Sequence, residues 1–427
     1  MDVTLAFGRS GAVVNVPEHA EVLESRFAAA LPDPAAAVAE AVRSPLAGPP
    51  LAELARGKKS AAISVCDITR PAPNKLVLPV VCAALEAGGI EPKNIRILIA
   101  TGLHREATDA ELDEILGPDI CERYWVDSHR AKNLDEQTHL GRTDAGTEIY
   151  IDSRFVEADL HLTLGFIEPH LMAGFSGGRK LISIGLAGER TIKRLHSPLY
   201  MRDRDATEGV FPDNPLHRQL VEIADRVGHH FMVDVALTGD RGIAAVFAGE
   251  PVEAHRRGVD FVRQSTRAVV EEPADLVVTT SGGYPLDLTY YQTAKGITAA
   301  AHIVKEGGTI LVCSECAEGV GSPEFTELVR RSPDPEALLD ELAAAPVRVD
   351  QWQAEKLAVV TRKAKLAFCT PGVPLEDRPS LWGPVYDDAQ QALDAQVAAL
   401  SSDARIVVIP EGPYVFAQLE REPVLAL

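Results

Sequence analysis

The 427-residue chain is poor in cysteine, carrying six, at 66, 82, 121, 313, 316 and 369. Such sparse cysteines exclude a disulfide framework and fit a reducing compartment. The chain has no apolar run of the length a bilayer span requires. It also has no basic stretch leading into an apolar segment at its amino end, so neither a membrane span nor a signal peptide is expected. Basic residues are in deficit, 42 Lys and Arg against 62 Asp and Glu, and the net charge of −20 argues against nucleic acid or an acidic membrane as partner. Internal repeats are absent, and the one biased segment, Ala/Pro-rich around residues 30 to 57, reads as helix plus connecting loop. What remains is a cytoplasmic globular protein, and with 46% hydrophobic residues it can supply a core to each of two or three domains.

Alternating strands and helices organise the chain. The opening "MDVTLAFGRSGAVVNVP" alternates apolar and polar residues about "GRSG" and reads as a β-hairpin. "AAISVCD", "NIRILIATG", "TEIYID", "ADLHLTLGF" and "HHFMVDVAL" are strand candidates, "KLVLPVVCAALEAGG" has helical spacing despite Pro79, and Thr108 and Glu111 have capping-box spacing before a helix ending near Gly117. The pattern restarts near residues 265 to 275 with "ADLVVTT", a helix over "TYYQTAKGITAAAHIVKEGG", then "TILVCSE", "KLAFCTP" and "ARIVVIPE". The expectation is an α/β protein of two domains with mainly parallel sheets, residues 1–270 and 271–427, and an active site in the interdomain cleft.

In open α/β sheets ligands bind beyond the carboxyl ends of parallel strands, so the turns there are where function is sought. They offer Asp67, Thr69 and Arg70; Thr101, Gly102 and His104; Glu168 and His170; and Ser281, Gly282 and Gly283. Each has a plainer reading. Asp67 and Arg70 could be a helix cap and a surface ion pair, His104 a polar loop residue, and His196 an imidazole suited to the end of a basic helix. "SGGRK" at 176 to 180 lacks the glycine spacing and hydroxyl of a Walker loop, and the lone C-x-x-C of Cys313 and Cys316 has no partner pair to make a zinc site. It is the concentration of His, Lys, Arg and Asp in neighbouring turns that packing alone does not explain.

Two histidines on separate loops suit a reaction in which a proton must be taken or given on either of two sides. Lys180 adjoins Arg179, and a neighbouring cation favours the nucleophilic amine used in covalent attachment. His196 is a metal-ligand candidate, but one imidazole cannot hold a transition metal, so further ligands must come from elsewhere, such as a bound organic cofactor.

The spacings T-G-x-H (Thr101 to His104), H-x9-K (His170 to Lys180), K-x15-H (Lys180 to His196) and Y-Q-x-x-K (Tyr291 to Lys295) resemble those of the nickel-pincer-nucleotide lactate racemases. The resemblance spans Asp67 to Trp352. It implies nickel(II) pyridinium-3,5-bisthiocarboxylic acid mononucleotide as cofactor, joined covalently to Lys180 and completed at nickel by His196. It further implies His104 and His170 as the acid/base pair, and Gln292 and Lys295, with Tyr291 and Trp352, at the substrate. The "DITR" turn, Asp67, Ile68, Thr69 and Arg70, would form part of the cofactor site. Arg70 would also help Lys295 meet a substrate carboxylate. The nucleotide phosphate would lie on backbone amides of either "DITR" or "TSGG".

On that resemblance the protein racemises a 2-hydroxy acid at C2 by reversible hydride transfer, and it depends on cofactor-synthesis proteins for loading. An apolar or aromatic pocket lining of Met172, Phe175, Tyr284, Tyr291 and Trp352 would lean toward a short aliphatic or aromatic substrate. Two alternatives stand beside this: a C2-epimerase of a sugar acid with the same cofactor, and a non-catalytic nickel- or nucleotide-binding protein. The last does not require both His104 and His170.

Overall fold

The computed structural model describes residues 1–24, 28–332 and 334–420, which gather into two compact α/β units. Residues 28–195 and 211–265 form the first unit, and residues 1–24, 196–210 and 266–420 the second. The chain therefore does not divide into two contiguous stretches at 270. Hydropathy periodicity marks elements but not which core they join, and the segment 196–210 is held in the second unit by contacts distant in sequence. There Arg202 Nε donates to the buried Glu355 carboxylate at 2.5 Å, and Lys356 Nζ to the Ala206 carbonyl at 2.8 Å. Gly209 lies so close to the Phe416 ring that a Cβ would come within 1.9 Å of it.

The first unit is built on a six-stranded sheet in the order Ile243–Gly249, Phe231–Leu237, Leu160–Phe166, Ala61–Cys66, Ile95–Ala100, Trp125–Ser128. Every pairing is parallel except that of the first two strands. Ala61–Cys66 and Leu160–Phe166 are buried along their whole length, which is why they read as continuous apolar runs rather than alternating ones. From Ala61–Cys66 the chain winds outward through Ile95–Ala100 and Trp125–Ser128, then returns to the other side of its starting strand with Leu160–Phe166. That reversal opens a crevice between the carboxyl ends of the two central strands. The helix Asn74–Ala87 packs on this sheet and keeps Pro79 in its interior, and Thr108 caps Asp109–Leu116 in a reciprocal capping box with Glu111, with Gly117 as its C-cap.

The second unit carries six parallel strands in the order Val385–Tyr386, Lys365–Cys369, Val304–Cys313, Ala274–Thr280, Ile406–Ile409, Glu21–Val22. The amino-terminal hairpin, Asp2–Leu5 on Ala12–Asn15, belongs here. The helix expected across 289 to 308 is shorter, Thr293–Ala301, because Val304 already pairs with Ala274 and opens the strand Val304–Cys313. Cys313 and Cys316 are fully buried, and Cys313 sits opposite Cys369 in the sheet. No helix among the described residues is long and apolar enough to cross a membrane.

Burial depresses five histidines of the first unit below their ordinary value: His161, His217, His255, His229 to about 3 and His230 to about 4. The unfolded chain therefore takes up those protons first. The stability these rings give is present above pH ~6.5 and is lost as pH falls, by about 2 kcal/mol at pH 5 for each ring still neutral. Asp234, which burial raises to about 7, and Asp225, which burial also raises, act in the opposite sense but are two groups against five. Urea unfolding followed at pH 7.5 and pH 5 should show a clearly lower midpoint at pH 5, and equal midpoints would contradict it.

Candidate active site

The crevice of the first unit collects the turns that follow its central strands. After Ala61–Cys66 the chain makes a tight turn, with the Arg70 amide donating to the Asp67 carbonyl at 3.2 Å. Asp67 is 8% exposed, and its carboxylate bonds neither to a helix end nor to Arg70. Instead Thr69 Oγ1 donates to Oδ1 at 2.6 Å and His104 Nδ1 lies 2.7 Å from Oδ2. Burial alone would raise this carboxyl. The His104 hydrogen bond and charge, the Arg70 guanidinium and the Thr69 hydroxyl outweigh it and hold the group below its usual value. Ile68 is partly buried and packs against the core.

His104 reaches Asp67 because its own turn is closed: Gly102, with φ of 55°, donates to the Gly185 carbonyl at 3.0 Å, and the His104 amide donates to the Thr101 carbonyl at 2.9 Å. The imidazole is 56% exposed, so the ring is anchored at one nitrogen with its body in the crevice. His170 follows Leu160–Phe166 on a short hairpin, opposite Gly174. Its Nδ1 accepts the amides of Met172 at 3.3 Å and Ala173 at 3.2 Å.

The two rings are therefore set in opposite tautomers. A carboxylate can only accept, so the neutral His104 ring carries its proton on Nδ1 and presents a lone pair at Nε2. Backbone amides can only donate, so His170 Nδ1 holds the lone pair and Nε2 the proton. In the neutral rings His104 can accept a proton at Nε2, and His170 presents an Nε2–H that can donate a hydrogen bond to an oxygen.

Lys180 opens the helical turn Lys180–Ser183 and is partly buried. Its amine is lowered to about 8, first by burial and next by the charge of Arg70, while Glu168 and Cys66 work against the shift. Arg179, expected to be the cation responsible, contributes least of these, because its guanidinium turns inward onto backbone carbonyls. Met172 and Phe175 also turn inward, at 3% and 0% exposure. Phe175 meets Phe211 edge to face, so these two are core residues and not a pocket lining.

In the second unit His196 follows the helix Glu189–Leu195 and packs its ring on that of Trp352, centroids 4.6 Å apart. Trp352 Nε1 donates to the Tyr291 hydroxyl at 3.0 Å, and Tyr291 meets Phe325 edge to face. Gln292 immediately precedes the helix Thr293–Ala301, and its buried Oε1 accepts no hydrogen bond from the protein. Lys295 stands in the first turn of the same helix. The second unit thus assembles His196, Trp352 and Tyr291, with Gln292 and Lys295 one turn further on. The amide of Gly282 in "TSGG" is already taken by Thr280 Oγ1 at 3.1 Å.

Behind the lysine loop Asp234 escaped the sequence reading, and Arg179 entered it only as a neighbouring cation. The signal for Asp234 was present: an acid in the middle of the apolar strand "FMVDVAL" has no packing reason to be there. Among the described residues no group of three or more His, Cys, Asp or Glu could hold a metal ion.

Comparison with known proteins shows what the chain is similar to. The family profile for the lactate racemase N-terminal domain matches residues 7–209, and that for the C-terminal domain matches residues 269–417. Curated lactate racemases of Thermoanaerobacterium thermosaccharolyticum and Lactiplantibacillus plantarum are 34% and 32% identical over 378 residues, spanning 88% of this chain and 88% and 89% of theirs. The solved lactate racemase apoprotein of Thermoanaerobacterium thermosaccharolyticum superposes with a TM-score of 0.92 at 31% identity, covering 98% of this chain and 100% of that one. A Thermotoga maritima protein, TM-score 0.65 at 16% identity, covers 87% of this chain and 96% of its own and shares the fold. Fold and relatives together define an isomerase of the racemase class. More particularly, the chain belongs to the lactate racemase family.

The tautomer assignment is open to direct measurement. In ¹⁵N spectra taken where both rings are neutral, His104 should appear protonated at Nδ1 and His170 at Nε2. Asp67→Ala should abolish the Nδ1 preference of His104 and leave His170 unchanged.

Proposed function

We propose that the protein racemises a short 2-hydroxy acid, lactate or a near analogue, at C2. The observation that carries this reading is the opposed setting of His104 and His170. Oxidising a carbinol carbon needs a group to take the hydroxyl proton, and closing the reaction on the opposite face is served by a second group that returns one; the two anchored rings supply such a pair. His104 Nε2 would take the hydroxyl proton, and Asp67 would stabilise the imidazolium that results. His170, charged as the imidazolium and turned from the Met172 and Ala173 amides, would give the proton when the reaction closes on the opposite face and be left neutral. For the reverse direction the roles exchange.

The residues fit a nickel-pincer nucleotide. An amine lowered to about 8 is a competent nucleophile near neutral pH, and the absence of a protein metal cluster among the described residues suits a nickel whose other donors arrive with the nucleotide. Lys180 would hold the group covalently, His196 would supply the one imidazole, and the "DITR" turn would border it. When bound, the group supplies an electron-poor ring able to accept and return hydride at C2. Arg70 and Lys295 would hold the substrate carboxylate and Gln292, through its unengaged Oε1, a substrate hydroxyl, beside Tyr291 and Trp352. Loading requires the proteins that make the cofactor.

His104→Ala and His170→Ala should each suppress racemisation in both directions, by roughly 10² to 10⁴, while retaining nickel. His196→Ala should lose nickel as well, and Lys180→Ala should show no cofactor mass adduct. Racemisation rates from each lactate enantiomer, nickel analysis and intact mass read all four variants. Near wild-type rates in the first two would dismiss the acid/base pair.

A further inference from the structure

The double glycine before Lys180 is folded around a buried carboxylate. Asp234, in the middle of Phe231–Leu237, has no exposed surface, and its Oδ2 accepts the Gly178 amide at 2.7 Å. A Cβ on Gly177 would stand 2.2 Å from that oxygen, and one on Gly165, the register partner of Asp234, would stand 3.2 Å from Oδ1. Gly177 and Gly178 also have φ of 88° and 44°, a region that side chains disfavour. Gly177 and Gly165 therefore make room for one carboxylate, and Gly178 gives it an amide.

Arg179 completes the cradle. The guanidinium, 5% exposed, donates to the carbonyls of Phe175 at 2.9 Å and of Ser176 and Gly177 at 3.2 Å each, and bonds to His255 Nε2. The strand ladder on either side of Asp234 is complete without its side chain. What these two charged side chains hold is the backbone of residues 175 to 178, which leads directly into Lys180.

We propose that Asp234 and Arg179 are positioning residues for Lys180, the carboxylate fixing the Gly178 amide and the guanidinium fixing the three preceding carbonyls, so that the amine is delivered to one place. The proposal deepens the reading of Lys180 as the attachment point and rests on that reading only for its effect on cofactor loading. Held where it is, the amine senses burial, Arg70, Glu168, Cys66 and Arg179. A released loop would carry it out of those surroundings, and its titration would return toward that of an ordinary lysine.

The test uses the full-length protein. Purified without cofactor, it is acylated with an amine-selective N-hydroxysuccinimide ester across pH, and labelling of Lys180 is followed by peptide mass spectrometry. Covalent loading is measured separately by intact mass after co-expression with the cofactor-synthesis proteins. The wild type should label with a midpoint at about 8. Asp234→Leu should raise that midpoint by about one pH unit or more and slow loading by roughly tenfold. Asp234→Asn keeps an acceptor for the Gly178 amide and should restore both. If Asp234→Leu does not fold, Arg179→Lys, whose ammonium cannot span three carbonyls, should show the same shift. Wild-type midpoint and loading in the folded Leu (or Lys) variant would overturn the proposal, and so would an Asn variant as impaired as the Leu one. A shifted midpoint in a protein that never loads at Lys180, even as wild type, would support positioning while removing the attachment reading.

Discussion

A strand buried on both faces by parallel neighbours can expose its chemistry only beyond its last residue. That constraint governs the first unit. Ala61–Cys66 and Leu160–Phe166 are sealed along their length, so Asp67, Glu168 and His170 appear where each strand gives out, and the reversal of strand order leaves a gap between those two ends. His104 enters the same region from the neighbouring strand end, and Lys180 from the loop that folds back after His170. The turns are chemically rich because the strands cannot be.

Within that crevice, backbone and carboxylate partners decide what each imidazole can do. Neither histidine needs an unusual environment: one rests on an aspartate and the other on two amides, and the difference between an acceptor and a donor at Nδ1 is enough to divide the labour at Nε2. Asp67 is held ionised against the pull of burial by the groups it serves, so the support is mutual. The second unit follows the same logic with neutral groups, as Tyr291 accepts from the Trp352 indole on which the His196 ring lies.

Much of this was legible before any coordinates. Element types, the parallel character of both sheets, the capping box at Thr108 and the functional turns all follow from local pattern, because each depends on residues near in sequence. What local pattern could not show was side-chain direction. Phe175 and Arg179 stand beside functional residues in sequence yet point into the core, and Met172 is buried too. Nor could it show which core a segment joins, as with residues 196–210, nor that Asp67 and His104, 37 positions apart, are hydrogen-bonded. Asp234 was visible as an anomaly, but its meaning lay in a loop more than fifty residues earlier.

The placement of Glu21–Val22 bears on how the chain comes to be made. This strand pairs with Ile406–Ile409, Glu21 opposite Val407 and Val22 opposite Val408. During synthesis Glu21–Val22 leaves the ribosome long before Ile406–Ile409, its partner. Until then it is an unpaired edge, of the kind that invites association with other chains. The sheet of the second unit cannot close until Ile406–Ile409 has emerged, whereas the whole sheet of the first unit has emerged by Gly249. Assembly thus has an order written into its connectivity, with the strands of the lysine-bearing unit available well before those of the other.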